Sequence, residues 1–105
     1  MTGETQQSSV QGSGALTGLR VIELGEGYAV AYTAKLLADF GADVVKVESP
    51  AGDPARLRGP YAGDKADPEA SGLHAYLNTN KRSIVADASQ SDGLKTIKAL
   101  LGTAD

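Results

Sequence analysis

Two hydrophobic periods alternate along this chain. Leu19-Arg-Val-Ile-Glu-Leu24 is a short run rich in β-branched residues and closed by Gly25, the pattern of a strand. From Ala29 to Phe40 the period lengthens, and Val30, Ala34, Leu37 and Ala38 share one face at helical spacing, with Gly41 as the C-terminal stop. Asp43-Val-Val-Lys-Val-Glu48 returns to the strand pattern and ends at Ser49-Pro50. Strand, helix and strand joined by tight links predict a βαβ unit with parallel strands and a right-handed crossover.

Pro50 to Ser71 breaks that rhythm, gathering prolines, glycines and scattered charges around few apolar anchors. So long an irregular stretch inside a small domain signals a functional or partner-ordered loop. Gly72 to Leu77 predicts a short helical turn, and Ser83-Ile-Val-Ala86 a third strand followed by Asp87. A second helix is expected over Ser91 to Leu101, with Leu94, Ile97 and Leu101 on one face. Ser89 or Ser91 would cap it and Gly102 would end it. The pattern therefore predicts an α/β chain, βαβ–loop–βα, with an incomplete parallel sheet. Residues 1–14, polar and Gly/Ser-rich with an isolated Val10, predict a disordered tail, which leaves 15–105 as the folded part. A βαβα pattern calls next for another buried strand, whereas Thr103-Ala104-Asp105 closes the sequence, so the N-terminal part of a larger domain is expected.

Composition narrows the class. The 105 residues carry Lys+Arg 10 against Asp+Glu 13, a formal net charge of −3, with 41% hydrophobic positions. A mildly acidic balance offers no electrostatic footprint for nucleic acid or an anionic membrane. Four Tyr, one Phe and no Trp leave no stacking platform for single strands. Zero Cys excludes a disulfide framework, a thiolate metal site and a cysteine nucleophile, and it fits a reducing cytosol. Apolar stretches fall far short of a bilayer span of roughly 20 residues, so a soluble, cytoplasmic domain is expected.

Few side chains suggest chemistry. In the turn Gly25-Glu-Gly27-Tyr-Ala-Val30, glycines permit a tight turn and close approach to a ligand, while the following helix aims its N-terminal amides at an anion. Glu48, 23 residues beyond Gly25, stands where a dinucleotide-binding fold places an acid on the ribose. Val30 occupies the third glycine position of that fingerprint, and a tight βα turn beside a solvated Glu48 is the simpler alternative. Asn78-Thr-Asn80-Lys81-Arg82-Ser83 reads either as a solvated turn or as a phosphate contact, and Arg56 and Arg58 admit the same two readings. Asp39 and Asp43 flank Gly41 as solvated helix-end and strand-start residues would. His74 is the single histidine, so no metal site is expected. No G-x-S-x-G elbow is present.

Taken in order, these segments resemble one family. Leu16-Thr-Gly-Leu-Arg-Val-Ile-Glu-Leu24, Leu36-Leu-Ala-Asp-Phe-Gly-Ala-Asp-Val-Val-Lys-Val-Glu48, Gly52-Asp53 with a nearby Arg, and Asn80-Lys81-Arg82-Ser83 with Asp87 look like the N-terminus of the family III CoA-transferases. Formyl-CoA and carnitine-CoA transferases and the α-methylacyl-CoA racemases belong to that family. The resemblance covers about residues 16–105 and implies the N-terminal portion of a Rossmann-like large domain, α/β with βαβ–loop–βα order, in a longer, homodimeric enzyme with interlinked chains. Such an enzyme moves CoA between carboxylic acids through an aspartyl-CoA thioester and mixed anhydrides. CoA or acyl-CoA is then a substrate, with no covalently bound cofactor. Carried over by position, CoA contacts fall on Tyr28 and Ala29, on Ser49, and on Ala86, Asp87, Ala88 and Ser89. Ala29-Val30-Ala31 replaces the family's A-G-P-like step. Ser49 replaces an Arg that meets the adenosine 3′-phosphate side, so Arg56, Arg58 or Lys81 would have to compensate. No catalytic residue is carried over, because the family's nucleophilic Asp lies further downstream, and the isolated chain is expected to be inactive. The alternatives are a nicotinamide-dinucleotide-binding module, and a non-catalytic domain docking a partner through its last helix and an exposed sheet edge.

Overall fold

The computed structural model describes residues 14–105. The expected tail falls outside the described residues except for Gly14, whose N–H donates to Thr17 Oγ1. Strand β1 (Arg20–Glu23) leads into helix α1 (Tyr28–Asp39), which returns the chain to β2 (Asp43–Glu48). Two 3-10 turns, Pro54–Leu57 and Ala62–Asp64, precede helix α2 (Gly72–Leu77), strand β3 (Arg82–Val85) and helix α3 (Ser91–Leu101). The strands form one parallel sheet in the order β1-β2-β3, with Val21 beside Val44 and Val47 beside Ile84. The fold is α/β with a three-stranded open parallel sheet, as the periodicities predicted.

Burial explains which residues make β2. Flanked by a strand on each side, it is the most enclosed element, and Val44 and Val45 are buried within it. Helix α1 lies against β1 and β2 on a face of small side chains, Ala31, Ala34 and Ala38, which let helix and sheet approach closely. Ala34, Ala38, Ala42 and Val44 form the core cluster, with Leu16, Val21 and Leu37 packed around it. Gly41, at φ 106°, turns the chain from α1 into β2, and a Cβ there would lie 2.8 Å from Gly14 Cα. After α3 the chain returns to the outer edge of β1, where Asp105 N donates to Arg20 O at 3.0 Å.

The segment after Pro50 is more ordered than its composition predicted. Asp53 caps the first 3-10 turn by accepting from Ala55 N, and Pro54 follows at a position that needs no donor. Ser71 accepts from His74 N at the start of α2 while its hydroxyl reaches Ala55 O and Arg58 O. Local side-chain caps, invisible to hydrophobic periodicity, supply the order. The cap of α3 also differs. Gln90 takes that position without a side-chain bond, Ser91 is the first helical residue, and the Ser89 hydroxyl donates to Asp87 Oδ1. Among the described residues no helix is long and apolar enough to cross a membrane.

Candidate functional site

Because the strands are parallel, the turns after β1, β2 and β3 emerge at one edge of the sheet. Gly25 and Gly27 turn the chain there at φ 121° and 105°, conformations that carry no penalty for glycine. Gly27 is the N-cap of α1 and has no side chain to cap it, so the first-turn amides keep their positive end of the helix dipole exposed. Facing that turn is a cleft of about 250 Å³. Gly27, Tyr28 and Ala31 form one wall, and Asp53, Ala55 and Arg58 of the 3-10 segment form the other. The Arg58 guanidinium carbon stands 6.0 Å from the centre of the Tyr28 ring, bridging the two walls at cation–π range.

Beneath the cleft lies a chain of buried charges. Lys46, only 2% exposed in the middle of β2, donates to Glu23 Oε2 at 2.9 Å and pairs with Asp53 Oδ2 at 2.7 Å. Glu23 Oε1 also lies 2.6 Å from the Lys81 ammonium, an ion-pair distance. Lys81 donates in addition to Ala31 O and Asn78 Oδ1. Burial pushes the Lys46 ammonium down, but Asp53 and Glu23 together outweigh it and hold its pKa above the ordinary value. Burial likewise pushes the Asp53 carboxyl up, and Lys46 with the Ala55 N–H overcomes it, leaving Asp53 ionised. For Lys81 burial prevails over Glu23 and lowers the pKa.

Glu48 ends β2 in a second cluster. Its Oε1 accepts from Arg56 Nη2 and Ser83 Oγ, and its Oε2 from Arg56 Nε and Asp53 N. The bidentate Arg56, against the opposing effect of burial, holds the carboxyl down to about 2. His74 Nε2 lies 3.9 Å from Glu48 Oε1, buried and without a hydrogen-bond partner. Burial and the neighbouring Arg56 keep its pKa below the ordinary value, so His74 is neutral near pH 7.

The residues singled out in the sequence divide accordingly. Tyr28 and Ala29 open α1, Tyr28 on the cleft and Ala29 on the groove between α1 and β1. Ser49 is exposed just past β2, where its carbonyl accepts from Gly52 N. Ala86 is buried and donates its N–H to Glu48 O, which holds the turn after β3 to the end of β2. Asp87, Ala88 and Ser89 form that turn, Asp87 Oδ1 accepting from Ser89 N and Oγ. All seven lie along the carboxyl-end edge. Three simpler readings are corrected. Glu48 is not solvated, because Arg56 and Asp53 N enclose it. Lys81 is not in a solvated turn, because Glu23 draws it inside. Asp43 is more than a solvated strand start, for it pairs with both Arg20 and Arg82. Lys81 and Arg82 therefore point to different ends of the sheet.

Lys46 and Asp53 escaped the search for candidate chemistry. A lysine inside the apolar run of β2 was the available signal for the first. For the second it was an Asp-Pro step, a capping acid followed by a residue suited to a first helical turn. Among the described residues no cluster of His, Asp and Glu is arranged to hold a metal ion.

Known proteins place this arrangement. The CoA-transferase family III model matches residues 16–105. A succinate–glutarate CoA-transferase of Agrobacterium fabrum is 45% identical over 93 residues, covering 86% of this chain and 23% of its own length. A cinnamoyl-CoA:phenyllactate CoA-transferase of Clostridium sporogenes is 37% identical, covering 85% of this chain and 22% of its own length. Among solved structures, a CAIB/BAIF family protein from Brucella suis superposes with a TM-score of 0.77 at 36% identity, covering 88% of this chain and 24% of that one. The chain thus spans about a quarter of the length of the relatives it matches.

Proposed function

The chain belongs to CoA-transferase family III, and on that premise we propose that it is the N-terminal, CoA-binding portion of an enzyme that moves CoA between carboxylic acids, or of a related acyl-CoA racemase. The observation that carries this reading is the cleft between the uncapped start of α1 and the Asp53–Arg58 segment, which Tyr28 lines and which opens on the carboxyl-end edge of the sheet. Tyr28 and Ala29 would meet the ligand at the helix start, Ser49 at the end of β2, and Ala86, Asp87, Ala88 and Ser89 around the adenine. Backbone amides and a dipole suit an anionic, phosphate-bearing ligand. The apolar stems of Tyr28, Ala31 and Leu77 would give the rest of it a dry wall.

These residues bind and orient. None of the chain's Asp residues is assigned the nucleophilic role, and acyl transfer by the isolated 105-residue polypeptide is not expected. In the whole protein, a cytoplasmic homodimer would bury apolar side chains that are exposed here, among them Phe40, Leu57 and Val85.

The nicotinamide alternative rests on Glu48 reaching a ribose. Four donors already occupy that carboxylate, which weighs against it. Calorimetric titration with CoA and with NADH separates the readings. Saturable CoA binding with none for NADH is the expected result, and binding of NADH alone would overturn the proposal.

A further inference from the structure

Four cations approach the cleft edge, and three are already committed. Lys46 is neutralised by Glu23 and Asp53, and Lys81 by Glu23. Arg56 is clamped bidentately to Glu48 and gives its Nη1 to Pro68 O. Arg58 differs. Among the described residues no acid pairs with it, and its side-chain contact is the face of Tyr28. Its backbone is nonetheless fixed at both ends, for Arg58 N donates to Ala55 O and Arg58 O accepts from the Ser71 hydroxyl. Asp53, the acid on the same wall, is neutralised by Lys46 and does not compete for Arg58. The exposed Arg58 guanidinium thus stands at the mouth of the cleft on a fixed backbone, opposite the uncapped amides of α1, with no acid among the described residues paired to it.

We propose that Arg58 is the phosphate-pairing cation of this cleft and takes one of the phosphates of CoA, the charge that Ser49 does not provide. The inference rests on the CoA-binding reading above and adds a residue to it. A guanidinium suits the task because its planar fork offers paired donors to phosphate oxygens while its face stacks on an aromatic ring. Tyr28 would then act as the platform that orients the fork toward the helix N-terminus.

The test is titration of the full 105-residue chain and its Arg58→Gln and Arg58→Lys variants with CoA, dephospho-CoA and pantetheine, with circular dichroism confirming that each variant is folded. Arg58→Gln should weaken CoA about tenfold, as expected for a lost hydrogen bond between charged groups, and Arg58→Lys should recover part of that. Pantetheine, which has no phosphate, should bind all three proteins alike. If dephospho-CoA is weakened by Arg58→Gln as much as CoA is, the diphosphate is the partner. If dephospho-CoA is insensitive to the substitution, the ribose 3′-phosphate is. Equal CoA affinity of wild type and Arg58→Gln overturns the assignment while leaving the CoA reading intact. An equal loss of pantetheine overturns it in favour of packing on Tyr28. Failure of the wild-type chain to bind CoA overturns both.

Discussion

Lys46 Nζ and Asp53 Oδ2 lie 2.7 Å apart, with their side chains 2% and 5% exposed, and this contact ties the central strand to the wall of the cleft. Burying an ammonium and two carboxylates gains little over an apolar core, yet removing one partner strands the others without water. Lys46→Met should therefore cost about 3–5 kcal/mol in urea unfolding at pH 7. Adding Asp53→Asn to it should restore much of the loss, because Glu23 and Lys81 then remain as a balanced pair. A loss for Lys46→Met below about 1 kcal/mol would mean that water reaches the pair, contrary to its burial.

Glu48 is one of the carboxylates that make the fold acid-sensitive, with Asp53 and Asp43 shifted in the same direction. Its carboxyl is held at about 2 against an ordinary 4.5, so the folded state binds the proton less tightly than the unfolded one. The stabilisation, on the order of 3 kcal/mol, is complete above the unfolded value and is lost as pH falls from about 4.5 toward 2. Glu48→Gln should be less stable at neutral pH and lose part of that acid dependence. Unfolding midpoints across the pH 2–7 range read both effects. Parallel pH profiles for the two proteins would show that Glu48 is not the group responsible.

How far the sequence spoke depends on the range of each signal. Helical and strand periods are local, and β2 and α3 were predicted with the bounds observed, Asp43–Glu48 and Ser91–Leu101. Pairings between residues distant along the chain have no such signature. Glu23 and Lys81 look like ordinary charged residues until the sheet order places the end of β1 and the residue before β3 on either side of β2, with their charged ends 2.6 Å apart. The same holds for Glu48, whose solvated reading failed because its partner Arg56 sits on a segment without hydrophobic period. The seven candidate contacts came from resemblance rather than pattern, and the fold gathers them along one edge.

Gly93 controls how closely α3 approaches the turn after β3. A Cβ at this position would overlap Asp87 O and lie 2.6 Å from Asp87 C, both backbone atoms that cannot swing aside. Alanine normally favours a helix over glycine by about 1 kcal/mol, so the local preference and the packing oppose each other. Overpacking against backbone wins, and Gly93→Ala should destabilise by about 1–3 kcal/mol. Because the displaced segment is the one proposed to surround the adenine, CoA affinity should fall with it. Gly102→Ala, where a Cβ would come no nearer than 3.4 Å to Ala99 O, is the control and should leave affinity unchanged. A stabilised Gly93→Ala protein with normal affinity would contradict the close approach.

Asp87 provides the sharpest test of whether these residues bind or react. Its Oδ1 accepts from Ser89 Oγ at 2.6 Å and Ser89 N at 3.0 Å, and those hydrogen bonds hold its pKa below the ordinary value. Those two bonds engage Oδ1 in closing the turn after β3. A covalent nucleophile needs a near-attack approach of roughly 3–3.5 Å to the reacting carbon, and Asp87 does not line the cleft between α1 and the Asp53–Arg58 segment. Incubation of the 105-residue chain with an acyl-CoA and an acceptor acid should therefore give no CoA transfer. Asp87→Ala should weaken CoA binding by loosening the turn, and Asp87→Asn, which keeps an acceptor oxygen, should retain most of the affinity. Transfer by the wild-type chain that vanishes in both variants would instead make Asp87 the reacting carboxylate.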